Sequence, residues 1–487
     1  MGVRRLIGRV TGHRIGAGLS LPTSGVGQVA AVVTVLAVAA GIGVGTAVGA
    51  PTVLASLSLA ANPRSVSPPP APVTPQPALR ALGSGAPVPT EAGLATAIDG
   101  LAAAPALGSL AGVVIDAAST NALWERDPGT ALVPGSTAKL VTAAAALLAL
   151  DPAARLQTTV VAGAEPGTVV LVGGGDPTLS ALPAGSESVY PGAPRLDDLV
   201  AQVKAAVPGG VDTVLVDVSR YEGDVLGPGW FAADVPAGYI APIVPVMLDG
   251  GRGVPTQQDT PRSGTPGLTA AAELARRLGA NPATVAVGTA PPQATVLGTV
   301  SSQPVRELVG HTLQYSDNVL AEILAREVAL ATGAEPSFDG AAEAMRAVLT
   351  TAGIDIAGLD LVDGSGLSAR NKVTAQGLAT VLSAAAAPGI DARTTKLRPL
   401  LVGLPVAGGT GTLVRRYDDA AGRTGRGYVR AKTGTLDSVN SLAGIVLDAD
   451  GRLLVFALLS NGTASSTTAR PALDAIAAAL AACGCRL

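Results

Sequence analysis

Ser136 and Lys139 stand three residues apart, behind Pro134-Gly135 and ahead of an almost wholly apolar Ala/Leu stretch that reaches Leu150. The stretch predicts a buried helix. Side chains three apart at its start share a face, so the lysine amine reaches the serine hydroxyl. A serine at a helix N-terminus also keeps its own N–H free to help form an oxyanion hole. The pair has the parts of a nucleophile and its base. The plainer alternative is an N-capping serine beside a surface lysine. The setting weighs against that, because a charge that opens an apolar helix needs a reason to be there.

Two further clusters strengthen the case. Lys432-Thr433-Gly434-Thr435 lies in a predicted strand, Tyr428 to Leu436, whose alternation puts Lys432 and Gly434 on one face and Thr433 and Thr435 on the other. Gly434 lets a substrate backbone come close. Ser316-Asp317-Asn318 precedes a helical pattern carried by Leu320, Ile323, Leu324 and Val328. Inside a helix Ser316 and Asn318 would not face one another, so a chemical role requires a loop at this point. Taken singly, the first cluster reads as a solvated strand end and the second as an N-cap. Their succession, S-x-x-K then S-D-N then K-T-G, changes the weighing because lysine is scarce. Lys139, Lys204, Lys372, Lys396 and Lys432 are the only five, and the motifs use two of them.

Other chemistries lack their parts. His13 and His311 are the only histidines, too few for a histidine-built zinc site. A Ser-His-Asp triad would have to use His311, and no G-x-S-x-G elbow holds a serine for it. His311 reads as an ordinary helix residue. No metal and no cofactor is expected. A net charge of -3 supplies no excess of cations for phosphates, which excludes nucleic acid as a partner. Cys483 and Cys485 form a C-x-C at the C-terminus, the wrong spacing for a C-x-x-C redox site. They either pair in an oxidising compartment or form an end without a role.

The elements that must position these residues fall into blocks. Residues 1–25 form a basic tail with Arg4, Arg5, Arg9 and Arg14, and 26–55 hold an apolar run from about Val26 to Val48. The run either spans a membrane with a cytoplasmic N-terminus or is a cleaved signal. Both place the body outside the cytoplasm. Residues 56–91 are a Pro/Ala/Ser-rich linker. From Ala92 the pattern gives a hairpin at Gly112 to Asp116 and Ala122 to Glu125, then the apolar helix. Residues 154–299 mix short Val-rich strands with Gly/Pro turns and read as an inserted accessory domain. Helical patterning returns from Ser302 to Gly333. Strands at Tyr428 to Leu436, Ser441 to Leu447 and Leu453 to Leu459, joined by tight turns, lead into a final helix at about Thr468 to Ala482. The main domain is thus expected from 92–153 and 300–487, as an α+β fold with an antiparallel sheet flanked by helices.

The three motifs in this order resemble those of penicillin-binding proteins and class A β-lactamases. Asp363-Gly-Ser-Gly-Leu-Ser-Ala-Arg-Asn371, Leu404-Pro-Val-Ala-Gly408 with Gly411-Thr-Leu413, and Leu171-Val-Gly-Gly-Gly-Asp176-Pro-Thr-Leu179 narrow the resemblance. They look like the D-alanyl-D-alanine carboxypeptidase/endopeptidase family of low-molecular-mass class C penicillin-binding proteins, over roughly residues 95–482. The long insert between Lys139 and Ser316 is similar to that family and unlike a class A β-lactamase. The chain departs from it at Pro134-Gly135-Ser136-Thr137, where members commonly carry Pro-Ala-Ser-Asn.

The resemblance implies a β-lactamase/transpeptidase-like domain with the insert. It implies Ser136 as nucleophile and Lys139 as base, its pKa depressed by Lys432. Ser316 would relay the proton to the leaving amine, and Asn318 would orient Lys139 and the substrate amide. Lys432 and Thr433 would hold a substrate carboxylate, with Gly434 beside them. The N–H groups of Ser136 and Thr435 would form the oxyanion hole. Peptidoglycan stem peptides are the implied substrates and β-lactams the implied covalent inhibitors. A serine β-lactamase and a non-catalytic cell-wall scaffold are the rivals.

Overall fold

The computed structural model describes residues 85–485. The basic tail, the apolar run and the linker up to residue 84 lie outside the described residues. The end of the expected linker belongs to the body: Ala86 is buried and its carbonyl accepts from Arg452 at 3.2 Å.

In chain order, helix α1 (Glu91–Ala102) precedes the hairpin β1 (Ser109–Asp116) and β2 (Ala122–Arg126), and a 3₁₀ turn at Gly135–Ala138 runs into α2 (Lys139–Ala149). Then follow β3 (Arg155–Ala162), β4 (Thr168–Gly174), α3 (Leu196–Ala206), β5 (Thr213–Asp217), α4 (Pro266–Leu278), β6 (Ala286–Val287) and β7 (Val296–Pro304). Helices α5 (Val305–Tyr315), α6 (Asn318–Thr332), α7 (Phe338–Thr351), α8 (Ala375–Ala386) and α9 (Ala392–Val402) come next. The strands β8 (Val429–Leu436), β9 (Val439–Leu447) and β10 (Leu453–Asn461) and helix α10 (Ser466–Ala482) close the chain.

The first sheet has the order β2-β1-β10-β9-β8 and is antiparallel throughout. Its central strands are apolar on both faces because both faces are covered. Val113, Ile115, Val455, Ala457 and Leu459 face one core, with α2 and α6 to α9. Leu110, Val114, Leu454, Phe456 and Leu458, one step out of phase, face the other with α1 and α10. The antiparallel sheet flanked by helices agrees with the α+β expectation.

Helix α2 runs through the first of these cores. Every residue from Lys139 to Leu147 is buried, as an almost uniformly apolar helix requires.

Residues 155–304 build a second sheet, β6-β5-β4-β3-β7, in which β4, β5 and β6 are parallel and β3 is antiparallel to β4 and β7. Helices α3 and α4 pack on it through Leu199, Val203, Ala271 and Leu274. Neither helix was expected within the insert, whose frequent Gly/Pro turns masked two short amphipathic stretches. The helical pattern placed from Ser302 begins three residues later. Ser302 to Pro304 close β7, and Pro304, with no N–H to give, stands as the N-cap of α5. A further apolar cluster joins the loop carrying Ile240, Ile243 and Met247 to α5 and α6 through Leu308, Leu320 and Ile323.

The depth of α2 yields a stability prediction. Leu147→Ala empties fully buried volume in this core and is expected to cost about 2–5 kcal/mol, measured as a lower midpoint in urea unfolding.

Candidate active site

Ser136 lies in the 3₁₀ turn before α2 and not, as expected, in the first turn of the α-helix. The effect on geometry is favourable, because residues three apart eclipse one another at three residues per turn. The Lys139 amine donates to Ser136 Oγ at 3.0 Å. Gly135 opens the turn at φ +52°, a conformation glycine adopts without penalty. The turn is fastened to the sheet by residues the sequence had not singled out. Ser441 Oγ on β9 donates to the Pro134 carbonyl at 2.6 Å, and Thr137 Oγ1 reaches the same carbonyl at 2.8 Å.

Lys139 is fully buried and makes two further hydrogen bonds, to Asn318 Oδ1 at 2.5 Å and to the Ser365 carbonyl at 2.7 Å. Burial pulls its ammonium down to about 8, and Asp363, Glu322 and Asp317 act in the opposite direction. Lys432 is not what lowers it, contrary to the expectation from sequence. The influence is seen at Lys432 instead, whose pKa burial and then Lys139 press well below the ordinary value.

The S-D-N triplet occupies the break between α5 and α6. Ser316 ends α5 in the left-handed region, at φ +61° and ψ +35°, and Asp317 caps α6 by accepting from the Leu320 N–H at 3.0 Å. The break supplies the loop the chemistry required. Ser316 Oγ accepts from the Lys432 amine at 2.9 Å, while Asn318 gives its oxygen to Lys139 and donates from Nδ2 to the Tyr239 carbonyl at 2.9 Å.

Strand β8 is the edge of its sheet. Ala431 N–H donates outward to the Pro405 carbonyl at 3.0 Å, so alternation turns the backbone groups of Thr433 and Thr435 to that outer edge as well. Thr433 Oγ1 donates to Thr412 Oγ1 at 2.9 Å. Gly434 serves a different contact from the one expected. A Cβ there would sit 2.1 Å from Ser441 Oγ, 2.4 Å from the Pro134 carbonyl oxygen and 3.1 Å from Ser136 N, so its missing side chain admits the serine turn.

The eight candidate site residues therefore converge on one place, with Lys139 at its centre. Sequence reasoning missed its support. Glu322, one turn beyond Asn318 on α6, accepts from the N–H groups of Gly364 at 2.9 Å and Ser365 at 2.7 Å, aiming the Ser365 carbonyl at Lys139. Burial and Asp363 push its carboxyl upward. Asp363 accepts from Gly366 N, Ser368 N, Asn371 Nδ2 and Trp230 Nε1. A carboxylate four residues after Asn318, and so on the same face of α6, was the available signal for Glu322. Among the described residues no group of His, Cys, Asp or Glu is arranged to hold a metal ion. Cys483 and Cys485 are paired as a disulfide, away from these residues in the core beside α1 and α10.

The profile of the D-Ala-D-Ala carboxypeptidase 3 (S13) family matches residues 94–266 and 256–482. The chain belongs to this family. A carboxypeptidase of Mycobacterium tuberculosis is 46% identical over 426 residues, covering 87% of this chain and 91% of its own. The carboxypeptidase DacB of Mycolicibacterium smegmatis is 46% identical over 424 residues, covering 86% and 91%. Among solved structures, penicillin-binding protein 4 (DacB) of Haemophilus influenzae has the same fold, with a TM-score of 0.64 at 21% identity over 80% of this chain and 97% of that one. The S13 chain is a peptide-bond hydrolase of the D-Ala-D-Ala carboxypeptidase class.

Two predictions follow from the geometry. If Lys139 acts as the base, only its neutral form serves, so the rate of attack by Ser136 should rise as pH climbs through about 8 and level off above it, read from a pH series of acylation rates. Gly434→Ala should displace the serine turn and slow the same reaction about a hundredfold in a chain that still unfolds cooperatively.

Proposed function

We propose that the S13 chain is a serine-type, penicillin-binding DD-peptidase that cleaves the bond after D-Ala in peptidoglycan stem peptides through an acyl-enzyme. The observation that carries this reading is the buried Lys139 amine, 3.0 Å from Ser136 Oγ and held near pKa 8. An amine so placed takes the serine proton near neutral pH without a histidine.

Ser136 Oγ attacks the carbonyl carbon of D-Ala-D-X as Lys139 accepts its proton. The oxyanion is met by the N–H groups of Ser136 and Thr435, which belong to segments in close contact: a Cβ on Gly135 would sit 3.0 Å from Thr435 N. Ser316, hydrogen-bonded to Lys432, relays the proton taken by Lys139 to the departing amine as the C–N bond breaks. Neutral Lys139 then takes a proton from the attacking water, and that proton returns to Ser136 Oγ as the acyl-serine ester is hydrolysed. Asn318 keeps Lys139 aimed and has a second N–H on Nδ2 for the substrate amide. Lys432 and Thr433 receive the substrate carboxylate. The bond after D-Ala is the same in a free pentapeptide and in a cross-link, so carboxypeptidase and endopeptidase action use one set of groups.

The naming of the Mycolicibacterium and Haemophilus relatives, a carboxypeptidase and a penicillin-binding protein, supports the assignment. We further propose the division into a main domain and an accessory insert, the insert expected at 154–299 being extended by β7 of the second sheet to Pro304. The basic tail, apolar run and Pro-rich spacer ahead of them carry the body out of the cytoplasm. Among the described residues no helix is long and apolar enough to cross a membrane.

The test compares wild type with Ser136→Ala. The wild type should form a long-lived adduct with a fluorescent penicillin and release D-Ala from a pentapeptide; the alanine variant should do neither. Labelling of Ser136→Ala would sink the assignment. Rapid turnover of penicillin would point to a β-lactamase, and a wild type that acts on neither compound to a scaffold.

A further inference from the structure

The insert reaches into the catalytic loop through a buried polar cluster that the proposed chemistry leaves unused. Asp317 is the middle residue of S-D-N, yet it belongs neither to the Ser136–Lys139–Asn318 chain nor to the Ser316–Lys432 contact. Its Oδ2 accepts from Tyr190 OH at 2.8 Å and from Arg252 Nη2 at 2.9 Å, and Arg252 Nη1 donates to Tyr190 OH at 2.6 Å. The Arg252 and Asp317 side chains are 1% and 0% exposed. Burial alone would raise the Asp317 carboxyl, but Arg252, then Arg262 and His311, hold it far below the usual carboxylate range. Arg252 is itself fixed by the carbonyl and side-chain oxygens of Gln258, and its guanidinium lies over the Tyr190 ring, with His311 packed beside that ring. Tyr190, Arg252, Gln258 and Arg262 all come from the insert.

A buried ion pair is a poor device for stability, since apolar replacements of similar volume often do as well. Its best-attested use is to fix one arrangement among several. The S-D-N break needs such fixing. Ser316 is a non-glycine residue in the left-handed region, between two helices, and a conformation of that kind persists only where its surroundings over-determine it. The residues on either side of Asp317 are the ones that touch Lys432 and Lys139.

We propose that Arg252 and Tyr190 are positioning residues of the peptidase. By gripping Asp317 they hold Ser316 on Lys432 and Asn318 on Lys139, which makes the insert part of the catalytic machinery. The inference rests on Ser136 and Lys139 being the reacting pair.

The experiment measures the second-order rate of acylation by a fluorescent penicillin, beside the thermal midpoint, in the full chain and four variants. Arg252→Met should acylate about a hundredfold more slowly and Tyr190→Phe about tenfold, with Arg252→Lys recovering part of the loss. The deciding variant is Arg252→Met with Asp317→Asn, which removes both charges while asparagine still caps α6. Its thermal midpoint should return toward wild type while its acylation stays slow. Rate and midpoint recovering together would mean a purely structural pair and overturn the inference, as would wild-type rates in Arg252→Met or Tyr190→Phe. If Arg252→Met alone fails to fold, Tyr190→Phe and the double variant decide. Wild type that penicillin does not label would overturn the reacting pair and the positioning role with it, whereas a labelled wild type with unaffected variants overturns the positioning role alone.

Discussion

The proposed active site depends on a single buried amine. Lys139 sits at the start of a helix whose next eight residues are buried too, where an ammonium without partners would be very costly. Its acceptors come from separated stretches of chain: the Ser136 hydroxyl, the Asn318 amide oxygen and the Ser365 carbonyl. Satisfying this nitrogen therefore forces the serine turn, the S-D-N break and the 363–366 loop into contact. The desolvation that makes those contacts necessary also lowers the amine toward the range that the base proposed here requires.

Holding these segments at hydrogen-bond distance requires backbone to approach backbone. A Cβ on Gly366 would lie 2.0 Å from the Gly135 carbonyl oxygen, and one on Gly364 would lie 2.8 Å from Ala325 Cβ. The loop's own N–H groups, turned inward, are collected by Glu322 and Asp363. Two carboxylates near a lysine would ordinarily raise its pKa. They are engaged by backbone N–H groups, and at Lys139 burial outweighs them.

The second sheet stands in a different relation to the site. It donates no motif residue, but two segments between its strands carry Tyr190, and Tyr239 with Arg252, to the S-D-N break, with Ile240, Ile243 and Met247 packed against α5 and α6. A break between two helices has few hydrogen bonds of its own. Polar groups from elsewhere in the chain complete it.

Much of this was legible in the sequence where the signal was local. The apolar run after Lys139, the alternation in Tyr428 to Leu436 and the tight turns between the last three strands determined elements whose bounds shifted by only a residue or two. The scarcity of lysine and histidine determined which residues could do the chemistry. Tertiary structure decided what depends on contacts between distant segments. It turned Gly434 toward the serine turn and not toward substrate, since only packing brings Pro134 and Ser441 beside it. It assigned the lowering of Lys139 to burial, because desolvation is a property of the whole surrounding core and not of a neighbouring residue type. It also recruited Glu322, Tyr190 and Arg252, whose contacts to the site lie 42 or more residues away, a separation over which no spacing rule of helix or strand can act.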